Sequence, residues 1–336
     1  MDIVRSWRDT PPAHKGAVLA IGNFDGVHRG HQAVLNEVKR IAAAEGRRAG
    51  AVIFEPHPRE FFAPDKPFFY LTPLPVKLEL LEALGLDQVF VLPFDKALSS
   101  LSADAFATEV VAGGFGASHV VVGYDFTYGK GRTGSVEHLT AIGKDHGYGV
   151  DVVAPVTLPG GVTFSSSTIR EHLRKGEVRA AAEQLGYWWR ARGEVGKGAG
   201  RGAGLGFPTL NFKLLPGQDV GHGIYAMRVH HRGERYHAAG YVGPRPTFGG
   251  DEPVLEAYLL DFSGDLYGHV VEVEFIEFLR PDHAFDSAEA LAAQMTADTE
   301  QAQAVLRAVD ADDPMRRFTL GAALAERALD CGKAGC

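Results

Sequence analysis

The sequence predicts two domains, an α/β domain built on a parallel sheet and a second domain rich in β-strands. First, 336 residues are too many for one ordinary hydrophobic core. Second, apolar runs alternate with helical periodicity up to about residue 180, which is typical of parallel strands joined by crossover helices. Third, that periodicity is lost near Leu185. We expect domains at 1–184 and 185–310, followed by a tail of unknown role at 311–336.

Composition and charge narrow the class of protein. Hydrophobic residues make up 45% of the chain and charged residues 23%, values typical of a globular protein. The net charge of −8, without a basic block, argues against a large nucleic-acid interface. No secretory signal or run of membrane-spanning length is visible, and Cys331 and Cys336 lie in a glycine-rich tail without forming a disulfide framework. We therefore expect a cytoplasmic protein without nucleic-acid or membrane partners, and weak self-association stays open.

The first element with chemical content is the segment 22–32, which follows an apolar run at 17–21. The run predicts a buried strand, and apolar residues from Val34 onward fall at helical spacing. Glycines and two histidines therefore lie where a strand ends and a helix begins, a place that attracts anions. Glycine admits a phosphate to the backbone, and imidazoles donate hydrogen bonds to phosphate oxygens as charge grows in a transition state. The pattern indicates nucleotidyl transfer, in which a phosphate attacks the α-phosphorus of a nucleotide and pyrophosphate leaves.

Two other interpretations of His28 and His31 are a zinc pair and histidines that cap the helix, but Asn23, Asp25 and three glycines around them favour phosphate. His28-Arg29-Gly30-His31 resembles the His-x-Gly-His motif of the nucleotidyltransferase superfamily. The whole segment 22–32 resembles the adenylyltransferase half of bifunctional prokaryotic FAD synthetases (riboflavin kinase/FMN adenylyltransferase). The resemblance implies a Rossmann-like parallel sheet and catalytic roles for His28 and His31. It also implies ATP contacts by Gly22, Asn23, Phe24, Asp25 and Gly30.

A second strand at 51–54 leads into a turn that contains Pro56 and Pro58. The two prolines are expected to exclude helix through the turn and to stiffen it. By itself the turn reads as a structural proline turn with a solvated histidine. The string 55–62 also resembles the FAD synthetase family, which implies that His57 and Pro58 bind flavin.

A third strand at 120–123 precedes a glycine-rich and aromatic-rich segment at 124–134. Glycines let a ligand approach the backbone, Lys and Arg side chains can pair with phosphates, and aromatic rings can stack on a flat heterocycle. No Gly-Lys-Ser/Thr occurs, so this is not a P-loop, and a plain hairpin loop is an equal alternative for the segment alone. With the resemblance, we assign flavin binding to Asp125, Phe126, Lys130 and Arg132.

Four hydroxyl residues at 165–168 open a helix that we expect to run to about Lys175. Helix capping explains part of this cluster, but four in succession exceed what capping needs. In nucleotidyltransferases a similar helix start binds the β- and γ-phosphates of ATP, which implies this role for Ser165, Ser166, Ser167 and Arg170. Ser167 stands where the flavin family more often has threonine, and it keeps the hydroxyl.

The second domain opens with glycine at every even position from 196 to 206. This fits neither a regular strand nor a helix, and it predicts a mobile flap, with a floppy linker as the alternative. Lys197 and Arg201 in this segment can face phosphates. Thr209 and Asn211 then alternate along a strand, so their side chains face the same way, and their oxygens suit Mg²⁺.

This half of the chain resembles riboflavin kinase, which implies a compact antiparallel six-stranded β-barrel. The Pro-Thr-Ala-Asn motif of that family corresponds to 208–211, with Leu210 in place of alanine. The resemblance makes Glu256 the candidate general base on the riboflavin 5′-hydroxyl, although alone it reads as a salt-bridged strand residue. At two further positions the sequence departs from the riboflavin kinase pattern, with Tyr241 and Val242 where that family usually has Asn and Ile. Helices are expected at 287–309 and at about 318–329.

The two resemblances cover about residues 15–308 and imply one enzyme with two activities. The C-terminal domain would use ATP to make FMN from riboflavin, and the N-terminal domain would use ATP to make FAD from FMN, with Mg²⁺ as cofactor. One alternative is another small-molecule nucleotidyltransferase fused to a regulatory flavin-binding barrel. A more distant one is a non-catalytic flavin carrier.

Overall fold

A computed structural model describes residues 1–157, 161, 163–196, 209–244 and 253–334, with the backbone alone at 327–334. Contacts between Cα atoms divide the chain into two compact units. The first unit comprises Met1–Phe68 and Thr72–Ser165, and the second comprises Phe69–Leu71 and Ser166–Cys336. The functional boundaries expected at 184 and 310 stay predictions.

The first unit contains a parallel six-stranded sheet in the order β1-β4-β3-β2-β5-β6, which confirms the predicted α/β class. Its central strand β2 is buried along its whole length, because both faces of a parallel sheet are covered. Strand β2 pairs with β3 on one side and β5 on the other. The loops that follow these three strands therefore emerge at one edge of the sheet, where ligands collect in such folds. The strands are β1 (Asp2–Val4), β2 (Val18–Ile21), β3 (Ala49–Glu55), β4 (Gln88–Pro93), β5 (His119–Gly123) and β6 (Gly149–Val153).

Helices cover the sheet of the first unit and bury its apolar side chains. The expected helix after the first motif starts at Arg29 because His28 caps it, and Leu35 and Val38 on its inner face are fully buried. Pro58 occupies the first position of a short helix, so the exclusion of helix from 55–62 was wrong. Proline is tolerated there because a first-turn N–H has no intrahelical partner. The helices are α1 (Arg29–Glu45), α2 (Pro58–Phe62), α3 (Leu74–Ala83), α4 (Lys96–Ser99), α5 (Ala103–Ala105) with the π-helix Phe106–Gly114, and α6 (Val136–His146), and 3-10 turns lie at Pro12–His14 and Lys130–Arg132.

The second unit contains a six-stranded antiparallel sheet in the order β7-β12-β9-β10-β11-β8. The Gly196 N–H donates to the Asn211 carbonyl at 2.8 Å and joins the outermost strands, so the sheet forms a nearly closed barrel. This confirms the predicted six-stranded antiparallel barrel. The strands are β7 (Arg190–Glu194), β8 (Thr209–Lys213), β9 (Gly223–His231), β10 (Glu234–Pro244), β11 (Pro253–Leu259) and β12 (Val270–Arg280).

Helices before and after the barrel strands complete the second unit. The helix expected at 287–309 is α9, which packs Ala302 and Leu306 against Ala226 and Ile276 of the barrel. The chain then continues through a 3-10 turn at Pro314–Arg317 into α10, with Met315 and Leu320 buried. No helix of the described ranges is both long and apolar enough to span a bilayer. The helices are α7 (Ser166–Arg174), α8 (Val178–Leu185), α9 (Ala288–Ala311) and α10 (Thr319–Ala334).

Three consecutive main-chain carbonyls explain why Phe69–Leu71 belongs to the second unit. The Phe69 carbonyl accepts from Arg170 Nε at 2.7 Å. The Tyr70 carbonyl accepts from Gln218 Nε2 at 3.1 Å, and the Leu71 carbonyl accepts from Trp189 Nε1 at 2.9 Å. All three donor side chains are buried, so the short segment supplies hydrogen-bond acceptors to polar groups that are shielded from water.

Candidate active sites

The predicted phosphate loop joins β2 to α1 in a strained conformation. Phe24 and Val27 have positive φ angles of 48° and 39°, which is unusual for a bulky and a β-branched residue. Thr72 holds the loop: its N–H donates to Asp25 Oδ1 at 3.0 Å, and its hydroxyl accepts from the Gly26 N–H at 2.8 Å. The strain is therefore supported by specific hydrogen bonds, as is common where a loop must meet a ligand.

His28 and His31 lie together at the start of α1. Nδ1 of His28 accepts the His31 N–H at 3.3 Å and caps the helix. The capping interpretation of this residue is thus realised. Because Nδ1 accepts, the hydrogen-bond network assigns the ring proton to Nε2, and an imidazole N–H is a donor of the kind that binds phosphate. The two rings stack with centroids 3.6 Å apart.

Buried polar atoms without partners surround this histidine pair. Burial, together with the charges of His28 and Lys77, holds the pKa of His31 well below its usual value, so the ring is neutral near pH 7. Among the described residues, His31 Nδ1 and Asn23 Oδ1 are buried without a hydrogen-bond partner. Such atoms are costly in a stable core, so they indicate a site that a ligand completes.

Glu55 and Lys77 adjoin this loop and were not found from the sequence. Glu55 ends β3, and burial raises the pKa of its carboxyl group, with Lys77 opposing that shift and Glu60 and Asp25 adding to it. Lys77 is 1% exposed on the inner face of α3. The available sequence signal was a lysine four residues before Leu81, on the face of α3 that otherwise carries apolar residues.

The predicted flavin residues lie in the loops after β3 and β5. Nδ1 of His57 accepts the Arg59 N–H at 3.1 Å and caps α2, whose first residue is Pro58, and the His57 ring stacks on Phe68 at 4.3 Å. The cap and the stack fix the ring orientation of His57. Together with Pro58 at the helix start, they make a rigid corner beyond β3.

The loop after β5 carries the other four predicted flavin residues. Phe126 stacks on the buried ring of Tyr128, with centroids 5.5 Å apart, and the Tyr128 hydroxyl contacts His138 Nδ1 at 2.6 Å. Arg132 Nε donates to Thr127 Oγ1 at 2.8 Å. The three charged residues of this set, Asp125, Lys130 and Arg132, are exposed on a well-braced backbone.

The helix predicted to bind ATP phosphates starts at Ser166, close to where the sequence placed it. Ser165 belongs to the first unit, whereas Ser166, Ser167 and Arg170 belong to the second. Arg170 is buried, and its Nε is engaged by the Phe69 carbonyl. The phosphate roles of these four residues stay predictions.

Strand register brings the predicted kinase residues together. Asn211 on β8 lies directly opposite Glu256 on β11, and Thr209 lies opposite Tyr258. Residues directly opposite in an antiparallel pair project to the same face, as do alternate residues of one strand. Thr209, Asn211 and Glu256 therefore share one face of the barrel. Lys197 and Arg201, in the predicted flap, lie outside the described residues.

Tyr241, one of the two departures from the riboflavin kinase pattern, lies in the same row of the sheet. It pairs with Glu256 across β10 and β11, and its hydroxyl donates to Asp282 Oδ2 at 3.3 Å. Burial, with the negative charges of Asp282 and Glu256, raises the pKa of Tyr241 to about 12. A Cβ atom at Gly243 would lie 2.0 Å from the tyrosine hydroxyl, so only glycine leaves room for this ring. The tyrosine therefore borders the predicted base.

Known proteins resemble this chain along most of its length. The FAD synthetase family model matches residues 10–168, and the riboflavin kinase family model matches residues 185–306. A bifunctional riboflavin kinase/FMN adenylyltransferase of Pseudomonas fluorescens is 37% identical over 312 residues, covering 91% of this chain and 98% of the relative. The protein of the same description from Escherichia coli K12 is 35% identical, covering 89% and 96%. The crystal structure of a protein described as a macrolide-efflux protein from Streptococcus pneumoniae has a TM-score of 0.80 at 29% identity, covering 90% and 98%.

Proposed function

The chain belongs to the family of bifunctional riboflavin kinases/FMN adenylyltransferases, and from that premise we propose which residues carry each reaction. Riboflavin and ATP react at the barrel to give FMN and ADP. FMN and a second ATP react at the parallel-sheet unit to give FAD and pyrophosphate. Small molecules are its partners, with no role for nucleic acid, and its location is the cytoplasm.

For adenylyl transfer, a phosphate oxygen of FMN attacks the α-phosphorus of ATP, and the bond to the bridging oxygen breaks to release pyrophosphate. The FMN phosphate is ionised near pH 7, so the step needs no general base. His28 donates from Nε2 to the phosphate oxygens on which charge grows, and His31 lies stacked beside it. The glycine-rich loop from Gly22 to Gly30 admits the polyphosphate to the backbone, and Asp125, Phe126, Lys130, Arg132, His57 and Pro58 hold the flavin.

For riboflavin phosphorylation, Glu256 accepts the proton of the 5′-hydroxyl while that oxygen attacks the γ-phosphorus of ATP and ADP leaves. The single observation that supports this assignment is the register that sets Glu256 opposite Asn211. A carboxylate beside two oxygen ligands suits an attack that must be close to the metal-bound phosphate. Lys197 and Arg201 are proposed to contact the phosphates.

Thr209 and Asn211 are proposed to hold Mg²⁺, and their donor atoms fit that ion after one rotation. Asn211 Nδ2 donates to the Thr209 carbonyl at 3.0 Å and to Thr209 Oγ1 at 3.3 Å. A half turn of the amide exchanges Nδ2 for Oδ1, which then lies beside the hydroxyl oxygen as a second hard ligand. Bound there, Mg²⁺ would neutralise the charge of the ATP phosphates.

The Glu256→Gln variant of the full chain tests the kinase assignment. The full chain is incubated with riboflavin, ATP and Mg²⁺, and the flavins are separated by chromatography. Glutamine keeps size and hydrogen bonding but not basicity, so FMN formation should fall by about 10²-fold or more while riboflavin still binds. FAD formation from supplied FMN should not change. Normal FMN formation by Glu256→Gln would show that Glu256 is not the general base. If the wild-type chain bound riboflavin without phosphorylating it, the alternative of a regulatory flavin-binding barrel would be favoured.

A further inference from the structure

Tyr128 is a buried tyrosine to which neither proposed reaction assigns a role. Its side chain belongs to the apolar core of the first unit and is 7% exposed. Its hydroxyl lies 2.6 Å from Nδ1 of His138, in the first turn of α6. Burial of a hydroxyl is costly without a hydrogen-bond partner, and phenylalanine would fill an apolar core without that cost. The contact with His138 therefore indicates a role beyond packing.

His138 has a second partner that orients its ring. Its Nε2 lies 3.2 Å from Oδ1 of Asp104 on α5, and its main-chain N–H donates to the Ser135 hydroxyl at 3.3 Å. A carboxylate accepts hydrogen bonds, so Asp104 assigns the ring proton of neutral His138 to Nε2. Nδ1 is then an acceptor, and the Tyr128 hydroxyl donates to it. The three side chains form one chain of hydrogen bonds from an exposed carboxylate to a buried ring.

The backbone of Tyr128 closes the turn that carries Lys130 and Arg132. Tyr128 and Gly134 exchange two main-chain hydrogen bonds, at 3.2 and 2.9 Å, across this turn. A Cβ atom at Gly134 would lie 2.6 Å from the tyrosine ring, so the ring packs directly on the Gly134 backbone. The Lys130 N–H donates to the Leu101 carbonyl at 2.7 Å, which fixes the turn against the chain before α5. The position of the two cations therefore depends on the Tyr128 ring.

The same ring supports Phe126. The two rings are nearly parallel, with 17° between their planes and 5.5 Å between their centroids. Phe126 is half-buried, so part of its ring is open to a flat ligand. Tyr128 is thus in contact with the aromatic residue, and closes the turn with the two cations, that we assign to the flavin.

We propose that Tyr128 is a positioning residue for FMN in adenylyl transfer, and that His138 holds its hydroxyl in an orientation set by Asp104. This inference rests on the flavin role proposed above for the loop after β5. The hydrogen bond fixes the Tyr128 ring, and the ring fixes Phe126 and the turn with the two cations relative to each other. FMN then meets a prearranged surface, and its binding does not have to order the loop.

Tyr128→Phe in the full chain removes the hydroxyl alone. We expect the KM for FMN in FAD formation to rise about 5-fold or more, while kcat and the KM for ATP change by less than about 2-fold. A mere loss of folded protein would lower the rate without this selective change in KM. Tyr148→Phe is the matched control, because Tyr148 lies in the same core and its hydroxyl is buried without a partner among the described residues. Its KM for FMN should equal that of the wild type, and FMN formation should be normal in both variants.

The contact between the two side chains is tested at His138. His138→Leu should raise the KM for FMN as Tyr128→Phe does. The double variant should be no worse than either single one, because both substitutions remove the same hydrogen bond. His138→Asn keeps an acceptor oxygen near the position of Nδ1, so its KM for FMN should stay close to the wild-type value.

An unchanged KM for FMN in folded Tyr128→Phe, or additive effects of Tyr128→Phe and His138→Leu, would overturn the proposal. If Tyr128→Phe does not fold, the two His138 variants decide, and equal KM values for His138→Leu and His138→Asn would overturn it. So would ¹⁵N chemical shifts at pH 8 that place the His138 proton on Nδ1 of the wild-type ring. Phe126→Leu tests the premise separately: an unchanged KM for FMN in this variant would contradict the flavin role of the loop itself.

Discussion

The indole N–H of Trp189 donates to the main-chain carbonyl of Leu71 at 2.9 Å, across a separation of 118 positions in the chain. Trp189 is fully buried, so water does not replace this partner at low cost. In the same way, the Phe69 carbonyl accepts a hydrogen bond from Arg170, and the Tyr70 carbonyl accepts one from Gln218. Phe69–Leu71 lies far from the barrel strands in sequence, yet its carbonyls accept hydrogen bonds from buried side chains of the second unit.

The first prediction concerns the stability of this arrangement. A shortened chain of residues 166–334 lacks Phe69–Leu71, which removes one hydrogen-bond acceptor from each of three buried side chains, Arg170, Gln218 and Trp189. We expect its second unit to unfold at lower urea concentration than in the full chain. Trp189→Phe should cost about 1–3 kcal/mol in the full chain, but less in the shortened chain, where the indole N–H is already unpaired. Equal costs in the two backgrounds would contradict a role for the Leu71 carbonyl.

The second prediction concerns Asp313, which lies beyond the matched riboflavin kinase region. Asp313 Oδ2 lies 2.8 Å from Nη1 of Arg228, a side chain that is 2% exposed. Asp313→Ala should lower the free energy of unfolding of the second unit by about 2 kcal/mol, because it removes one partner of a buried charge. Denaturant unfolding measures this, with the exposed Asp312→Ala as matched control, for which the change should stay within about 0.5 kcal/mol. Because Asp313 contacts Arg228 of the barrel, we expect a second domain that folds by itself to extend to the end of α10, beyond residue 310. Equal free energies of unfolding for Asp313→Ala and Asp312→Ala would show that the contact between Asp313 and Arg228 does not stabilise the second unit.

The third prediction concerns acid sensitivity. Burial disfavours the charged form of Glu274, but His230, Arg190 and Arg228 outweigh it and hold the pKa well below the ordinary value of 4.5. The unfolded chain therefore binds more protons than the folded chain as pH falls below that value, so the Glu274 contribution to stability is present above it and is lost in acid. Glu274→Gln should be less stable than wild type at pH 7, and its stability should change less as the pH falls from about 5 to about 3. Parallel urea midpoints for the two proteins over this range would exclude Glu274 as the source.

The fourth prediction separates the two roles of His28. Asparagine caps helices about as well as any residue, so His28→Asn should keep the stability of the first unit but lose the Nε2 donor. His28→Ala should lose the donor and about 1 kcal/mol of stability. Both variants should form FAD about 10²-fold more slowly or worse, with FMN formation nearly unchanged. A His28→Asn enzyme of normal FAD activity would leave His28 as a helix cap only.

The fifth prediction concerns the metal role of Asn211. Asn211→Asp keeps an oxygen ligand but adds a negative charge, so the Mg²⁺ concentration needed for half-maximal FMN formation should shift. The formation of FAD from supplied FMN serves as the internal control, because it uses the other unit. Unchanged metal dependence in both reactions would remove Asn211 from the proposed Mg²⁺ site.

The sequence by itself determined the local parts of this protein. Apolar runs followed by glycine-rich segments predict the strands and the loops after them, and the alternation of Thr209 with Asn211 predicts their common face. Helix starts were predicted to within a few residues, because caps such as His28 and Ser287 are short-range features. The one local error, helix at Pro58–Phe62, arose because proline excludes helix only away from the first turn.

Tertiary structure decided what depends on pairing between distant segments. The antiparallel register puts Glu256 opposite Asn211 and beside Tyr241, and no local pattern specifies that register. Lys77 reads as an ordinary helix residue until packing of α3 buries it near Asp25, Glu55 and His31. The carbonyls of Phe69–Leu71 carry no side-chain signal at all, so only the folded chain reveals the donors that they satisfy. Burial and register are non-local quantities, and they arise when the chain brings its distant segments together.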